Sequence, residues 1–181
     1  MGFNLMKYKL LISSLFVSSV FAATANAGDG TVRFEGEVIQ NACKVHGDSA
    51  DQTVNMGVIS ADAFKQVNDT AAPTAFRIKL TDCPADMKEK NVSIKFDGPS
   101  DSNNRDLLSL TKVDNAATGI AIGIYEADTQ ARVPVAGASG VNSLHLGIDQ
   151  ELKFIAKYVA TKPKVGPGSA NAVTNFTVVY N

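Results

Sequence analysis

Hydrophobic residues recur at every second position along much of this chain, and this period constrains the fold more than any other feature. Residues 76–80 alternate Phe, Ile and Leu with Arg and Lys, and residues 92–96 alternate Val, Ile and Phe with Ser and Lys. A period of two matches a β-strand with one buried and one solvated face, whereas an amphipathic helix repeats near 3.6. Turn-forming residues separate the runs about every ten positions. The pattern predicts an all-β sandwich.

Two further runs alternate in the same way. Residues 120–124 combine isoleucine with alanine and glycine and contain no charge, which predicts a strand buried more fully in the core. Residues 152–158 place Leu, Phe, Ala and Tyr on one face and two lysines on the other. Residues 60–66 are consistent with a short helical turn that has Ser60 as its N-cap. Weaker strand candidates lie at 54–59, 107–110, 132–135 and 144–148.

The first 27 residues have the pattern of a secretory signal peptide, whether translation starts at Met1 or Met6. Two lysines precede an apolar run at 10–23, and Ala25-Asn26-Ala27 matches the small-x-small pattern of a signal-peptidase site. The 14 residues of the run are fewer than the roughly 20 that cross a bilayer, so a membrane anchor is the weaker alternative. We therefore expect cleavage after Ala27 and export of the remainder.

The charge of the chain is slightly acidic. Removal of 27 of the 181 residues leaves 154, and it takes away two of the 17 basic residues but none of the 18 acidic ones. The formal net charge then falls from −1 to −3. Nucleic acid and anionic lipid attract chains with an excess of Lys and Arg. We therefore expect no nucleic-acid partner.

Export bears on the oxidation state of the two cysteines, Cys43 and Cys83. An even number of cysteines in an oxidising compartment indicates a disulfide, with a free buried pair as the weaker alternative. Closing a loop of this length would stabilise the fold by roughly 4 kcal/mol in the chain-entropy model. Two cysteines this far apart do not make a metal site.

Few residues of the sequence suit catalytic chemistry. The two histidines, His46 and His145, are too few for the imidazole cluster of a copper-zinc superoxide dismutase. His46 lies near Asp48, but no serine occupies a nucleophile elbow, so a hydrolytic triad is unsupported. The three aspartates between positions 97 and 106 match no calcium-loop spacing and are better explained as turn residues. We expect no catalytic site, no metal and no cofactor.

Both ends of the exported sequence alternate like strands, although terminal segments are usually poorly ordered. This pattern predicts that the segment 31–38 has a groove to fill. It could fill a groove of its own sandwich as the first strand, or it could complete the sheet of a neighbouring molecule. The residues on the apolar faces are Val32, Phe34, Gly36 and Val38 in the first segment and Phe176, Val178 and Tyr180 in the last.

Four features of the sequence together carry a family resemblance. Residues 30–39 followed by Asn41-Ala42-Cys43 form one motif, and residues 79–83, which end at the second cysteine, form another. Tyr180 is the penultimate residue, and Gly168 is the fourteenth from the end. In this combination the chain resembles the major subunits of type 1-like fimbriae, the pilins that are assembled by the chaperone-usher route.

The resemblance implies an incomplete immunoglobulin-like sandwich that lacks its last strand. It divides the chain into a signal peptide at 1–27, an N-terminal donor strand at 28–39 and a pilin domain at 40–181. A periplasmic chaperone would shield the open groove, and the donor strand of the next subunit would replace the chaperone at the outer-membrane usher. We therefore expect a structural subunit of an adhesive pilus on the cell surface, with copies of itself and other pilus subunits as partners.

The resemblance also assigns roles to single residues. Val32, Phe34 and Val38 would be the inserted anchors, and Gly36 would approach the groove floor too closely for a Cβ, with a bulge glycine as the alternative. The terminal Asn181 departs from the commoner glutamine of the family. A minor adaptor pilin shares all of these motifs, and an exported carbohydrate-binding module is a weaker alternative because the chain lacks tryptophan. The expected acceptor-groove and chaperone contacts are Gly168, Phe176, Val178, Tyr180 and Asn181.

Overall fold

Antiparallel β-strands dominate the computed structural model, which describes residues 30–38, 42–87, 91–137, 139, 142–143 and 150–180. The chain divides into two compact units, residues 1–38 and 39–181. Within the described ranges no helix is long and apolar enough to cross a membrane. The strands are β1 Lys44–Val45, β2 Thr70–Thr81, β3 Asn91–Asp97, β4 Ile120–Glu126, β5 Arg132–Val133, β6 Asn142–Ser143, β7 Gln150–Ala160 and β8 Asn175–Tyr180.

The strands of the second unit form two sheets. The larger sheet has the order β1-β2-β7-β4-β5, and the smaller one has the order β6-β3-β8. The helical elements among the described residues are short: a single α-helical turn, α1 at Gly47–Ala50, and two 3-10 turns at Ala61–Ala63 and Ala85–Met87. The all-β sandwich predicted from the period-two pattern is confirmed.

The core forms between the inner faces of the two sheets. Ile78 of β2 and Ile94 of β3 are fully buried in it. The ring of Phe154 in β7 lies 5.5 Å from that of Phe76 and 5.2 Å from that of Phe96, measured between ring centroids. Since Phe76 and Phe154 belong to the larger sheet and Phe96 to the smaller, these aromatic contacts hold the sheets together.

The strongest sequence predictions are confirmed with wider bounds. The runs at 76–80, 92–96, 120–124 and 152–158 lie inside β2, β3, β4 and β7. Residues 120–125 are all buried, as the absence of charge predicted. The expected solvated face of 92–96 is wrong at Ser93, which is buried. The predicted turn at 60–66 is present as Ala61–Ala63, with the Ser60 hydroxyl accepting a hydrogen bond from the backbone of Asp62.

Residues 54–59, predicted as a weak strand, form no strand. Val54 and Met56 are half-buried against the core, but Gly57 turns the chain with a φ of +68° and Val58 is fully exposed. The amide of Gly57 donates a hydrogen bond to the side-chain oxygen of Asn55, which closes a local turn. The side chains alternate here, but none of the described strands pairs with the segment.

The other weakly predicted strands have different outcomes in the structure. In the range 107–110 only Leu108 forms β-bridges, to Ser100 and Ile122. The candidate at 132–135 is reduced to the two residues of β5, because Pro134 has no N–H to donate. The candidate at 144–148 lies outside the described residues.

Gly168 lies where two backbone segments touch. A Cβ at this position would lie 2.5 Å from the backbone nitrogen of Ala117 and would also collide with the carbonyl oxygen of Asn115. Hydrogen bonds close the contact: the Ser169 amide donates to Asn115 at 2.7 Å, and the Ala117 amide donates to Ser169 at 2.8 Å. Glycine is required here because backbone atoms fill the space that a side chain would need.

We predict that Gly168→Ala lowers the free energy of unfolding by about 1–3 kcal/mol, the usual cost of overpacking. Gly47→Ala is the matched control, since a Cβ there would meet nothing within 4 Å. Denaturant unfolding of the purified monomer measures both variants. Equal unfolding midpoints for the two variants would contradict the packing role of Gly168.

Candidate functional site

β8 is an open sheet edge in the described part of the chain. The edges of the larger sheet, β1 and β5, are two residues each. In the smaller sheet, the far side of β3 is covered by β6 and by the amides of Ala136 and Ser139, which donate to the carbonyl groups of Phe96 and Ile94. β8 pairs along its six residues with β3, and no described strand pairs with its other side. Its outward N–H and C=O groups can therefore accept another strand.

An open groove of about 450 Å³ lies beside this edge. One wall is β8 itself, and the other is the segment that joins β1 to α1. Phe176 and Val178 are half-buried and pack against the main core, so they add apolar surface to a groove whose lining also includes polar side chains. The lining residues are Val45, Ala50, Thr174, Asn175, Phe176, Thr177 and Val178.

A second groove of similar volume lies at the beginning of β8. It shares Asn175 with the first groove. Residues 97–99 form part of its wall, and Leu110 and the exposed Val173 add apolar surface. Together the two grooves extend the concave surface beyond the start of the strand. The remaining lining residues are Ser109, Thr111 and Lys112.

The β1 wall of the groove is held by the disulfide between Cys43 and Cys83, which confirms the predicted pairing. Cys43 is buried in the main core, two residues before Val45. The hydroxyl of Tyr180 donates a hydrogen bond to the carbonyl of Cys43 at 3.4 Å, which links the end of β8 to this wall. Burial of the hydroxyl raises the pKa of Tyr180, so the phenol stays protonated and remains a donor.

Helix α1 completes the wall because it is fastened to β2. His46 caps the helix: its Nδ1 accepts a hydrogen bond from the amide of Asp48. The hydroxyl of Ser49 accepts a hydrogen bond from the amide of Lys79 at 3.0 Å and donates to the carbonyl of Arg77. These bonds give His46 and Ser49 structural roles and place Ala50 in the groove wall.

The segment 30–38 forms neither helix nor strand. Its alternating apolar side chains are exposed: Val32 by 76%, Phe34 by 94% and Val38 by 100%. A Cβ added to Gly36 would meet nothing within 4 Å. The segment therefore presents a row of uncovered apolar side chains.

The predicted site residues fall in different places. Phe176 and Val178 line the groove, and Tyr180 packs against the same core beside them. Gly168 is not among the lining residues of either groove, and Asn181 lies outside the described residues. The roles assigned to these residues stay predictions. Sequence reasoning missed Val45, Ala50 and Thr174, although the two-residue spacing from Cys43 to Val45 was a signal for the first.

The described residues contain no group of three His, Cys, Asp or Glu side chains that could hold a metal ion. Asp101 has the turn-forming role expected of it, since its carboxylate accepts hydrogen bonds from the amides of Asn103 and Asn104.

Comparison with known proteins agrees with this geometry. The family model for fimbrial protein matches residues 32–181. The chain is 36% identical to long polar fimbria protein A of Salmonella typhimurium and also 36% identical to the probable major fimbrial subunit LpfA of Escherichia coli O157:H7, with 99% of each chain covered in both cases.

The crystal structure of the P pilus rod subunit PapA is similar, with a TM-score of 0.65 and 26% identity over 78% of this chain and 100% of that chain. A family match over most of the chain, two full-length fimbrial relatives and a shared fold agree with one another. The chain therefore belongs to the fimbrial protein family, whose members are structural pilus subunits and not enzymes.

Proposed function

We propose that this chain is a shaft subunit of a chaperone-usher pilus and that it polymerises by donor-strand exchange. In this proposal each copy places residues 30–38 in the groove beside β8 of another copy. One observation carries the proposal: the same chain has an open six-residue strand edge beside a groove lined in part by Phe176 and Val178, and a separate segment of exposed, alternating apolar residues.

The lengths of the two partners match. Extended from Val32 to Val38, the donor segment spans about 20 Å at roughly 3.3 Å per residue. The six residues of β8 span a similar length. A donor strand can therefore pair with the whole of β8 through main-chain hydrogen bonds, which is the β-augmentation mode of recognition.

The side chains also match. Val32, Phe34 and Val38 are exposed in the segment, and Phe176 and Val178 line the groove. Burying each of the three donor side chains would contribute roughly 1.5–3 kcal/mol before the cost of ordering the segment. Exposed apolar side chains in a row mark a surface that a partner covers.

Gly36 lies on the same face as the three apolar anchors. A residue with a side chain would be expected there if the groove had uniform depth. In the proposal, Gly36 passes close to the groove floor at a point that leaves no room for a Cβ.

The open groove also supports two further partners in the proposal, a chaperone and an usher. An unpaired strand edge beside exposed apolar side chains promotes aggregation unless it is covered. We therefore include a periplasmic chaperone that covers β8 before assembly and an outer-membrane usher at which the exchange occurs. The Cys43–Cys83 disulfide supports this route, because disulfides form in the oxidising periplasm. The pilus then stands on the cell surface.

The names of the relatives favour a shaft role over an adaptor role. One relative is named a probable major fimbrial subunit, and one structural neighbour is named a rod subunit. A shaft also needs each copy to carry both a groove and a donor segment, and this chain carries candidates for both. An exported carbohydrate-binding module has no comparable observation in its favour.

We predict that Gly36→Asn prevents fibre formation while leaving the subunit folded, because the new side chain would meet the groove floor. Glu35→Asn is the matched control: it introduces the same side chain one position earlier, on the opposite face of the strand. Electron microscopy of surface filaments measures assembly, and periplasmic subunit yield measures folding. Normal fibres from Gly36→Asn would contradict the close approach, and a stable wild-type monomer without any fibres would contradict the proposed function.

We also predict that this chain is the most abundant protein in filaments sheared from the cell surface, since a shaft consists of many copies. Quantitative mass spectrometry of sheared filaments measures the copy number relative to the other subunits. A ratio near one copy per filament would identify an adaptor and overturn the shaft assignment.

A further inference from the structure

Two strands besides β8 have a long stretch of backbone that no described strand covers on one side. β2 has 12 residues, and β1 pairs with its last two, Leu80 and Thr81. β3 has 7 residues, and on the side away from β8 it pairs with β6 at Asn91 and Val92. Each uncovered stretch could offer backbone donors and acceptors to a strand of another molecule. In the structure, side-chain hydroxyl groups close both stretches.

On β3, Ser139 takes the place of a residue in a neighbouring strand. Its amide donates a hydrogen bond to the carbonyl of Ile94 at 2.7 Å, and its hydroxyl accepts one from the amide of Ile94 at 2.8 Å. In an antiparallel strand pair, the acceptor of that second bond would be a backbone carbonyl. Both residues are buried, so loss of the hydroxyl would leave the Ile94 amide without a partner. The Ser139 hydroxyl therefore closes β3 at Ile94.

On β2, the buried Ser49 has the same role. Its hydroxyl accepts a hydrogen bond from the Lys79 amide at 3.0 Å and donates one to the Arg77 carbonyl at 3.5 Å. The side-chain amide of Gln52 donates to the same Arg77 carbonyl at 3.2 Å, and the His46 amide donates to the Lys79 carbonyl at 2.9 Å. The Ser49 hydroxyl therefore replaces the donor and the acceptor that a longer β1 would supply.

The beginning of β2 is closed by other means. Pro73 has no N–H to offer to a neighbouring strand. The register of β2 against β7 shifts between Ala71 and Thr74, and Ala72 has a φ of +49°. The Thr74 hydroxyl donates a hydrogen bond to the carbonyl of Ala72 at 3.1 Å. Prolines and bulges at a strand edge hinder pairing with other molecules, so these features and the Ser49 hydroxyl act along the same strand.

We propose that Ser49 and Ser139 are specificity-determining residues of donor-strand exchange, because their hydroxyl groups close β2 and β3 to the donor segment of a second copy. This inference rests on the proposed function, which supplies the donor segment. Strand addition uses main-chain hydrogen bonds that any sequence can form, so an open edge on β2 or β3 would compete with β8 for the donor. Closing both edges directs the donor to β8 and keeps the fibre unbranched.

The test counts the donor strands that bind to the chain without its predicted signal peptide. The probe is a synthetic peptide of residues 28–39 in excess, and native mass spectrometry gives the number of peptides per subunit. Ser139→Ala should bind one peptide more than wild type, because the unpaired Ile94 amide makes β3 available. Ser49→Ala should gain a peptide at β2 for the same reason. Ser60→Ala is the matched control, since it removes a hydroxyl that accepts a hydrogen bond from the Asp62 amide outside the strands.

An unchanged peptide count in a folded alanine variant would overturn the role of that serine. An extra peptide on Ser60→Ala would overturn the proposal as well, because general loosening of the chain would then explain the gain. Hydrogen exchange in the wild-type chain tests the same point if a variant fails to fold. The amides of Ile94 and Lys79 should exchange as slowly as amides paired between strands, and fast exchange at either would contradict closure of that edge. A wild-type chain that binds no peptide and forms no fibres would instead contradict the proposed function.

Discussion

The hydrogen-bonded pairing of β8 with β3 on one side only is the constraint on which the candidate site depends. The other edge strands, β1, β5 and β6, have two residues each, and irregular backbone continues along the far side of β3. An unpaired edge favours aggregation, because its free backbone donors and acceptors can pair with a strand of another molecule. In the proposed assembly, pairing at β8 would fix both the site and the direction of association.

The walls of the groove are held by interactions that do not involve β8 backbone pairing. The disulfide fixes the start of β1, the Ser49 hydroxyl fastens α1 to β2, and the Tyr180 hydroxyl reaches the carbonyl of Cys43. Phe76, Phe96 and Phe154 hold the two sheets together beneath the groove. The groove can therefore keep its shape while it is empty, which lowers the ordering cost when a strand enters.

The net charge of the chain does not reveal where its charged side chains lie on the surface. The net charge of −1 argued against any basic surface, yet strand pairing brings Arg77, Lys153 and Lys157 onto one face. Arg77 precedes Lys153 by 76 residues in the sequence, so a total charge cannot show that the two side chains are neighbours. In the same way, alternation at 54–59 predicted a strand, but Gly57 turns the chain and no strand of the described residues pairs with it.

The sequence by itself determined the local structure: the strands around Ile78, Ile94, Ile122 and Phe154 follow from a period of two, because alternate side chains point to opposite faces. It also predicted the disulfide, since Cys43 and Cys83 are the two cysteines of the chain, and the structure confirmed it. Only the tertiary structure decided which strand edge stays open, that Val45 and Ala50 form the second wall, and that Gly168 packs against residues 115–117. These outcomes depend on contacts between distant segments, and side-chain periodicity carries no information about which strands become neighbours.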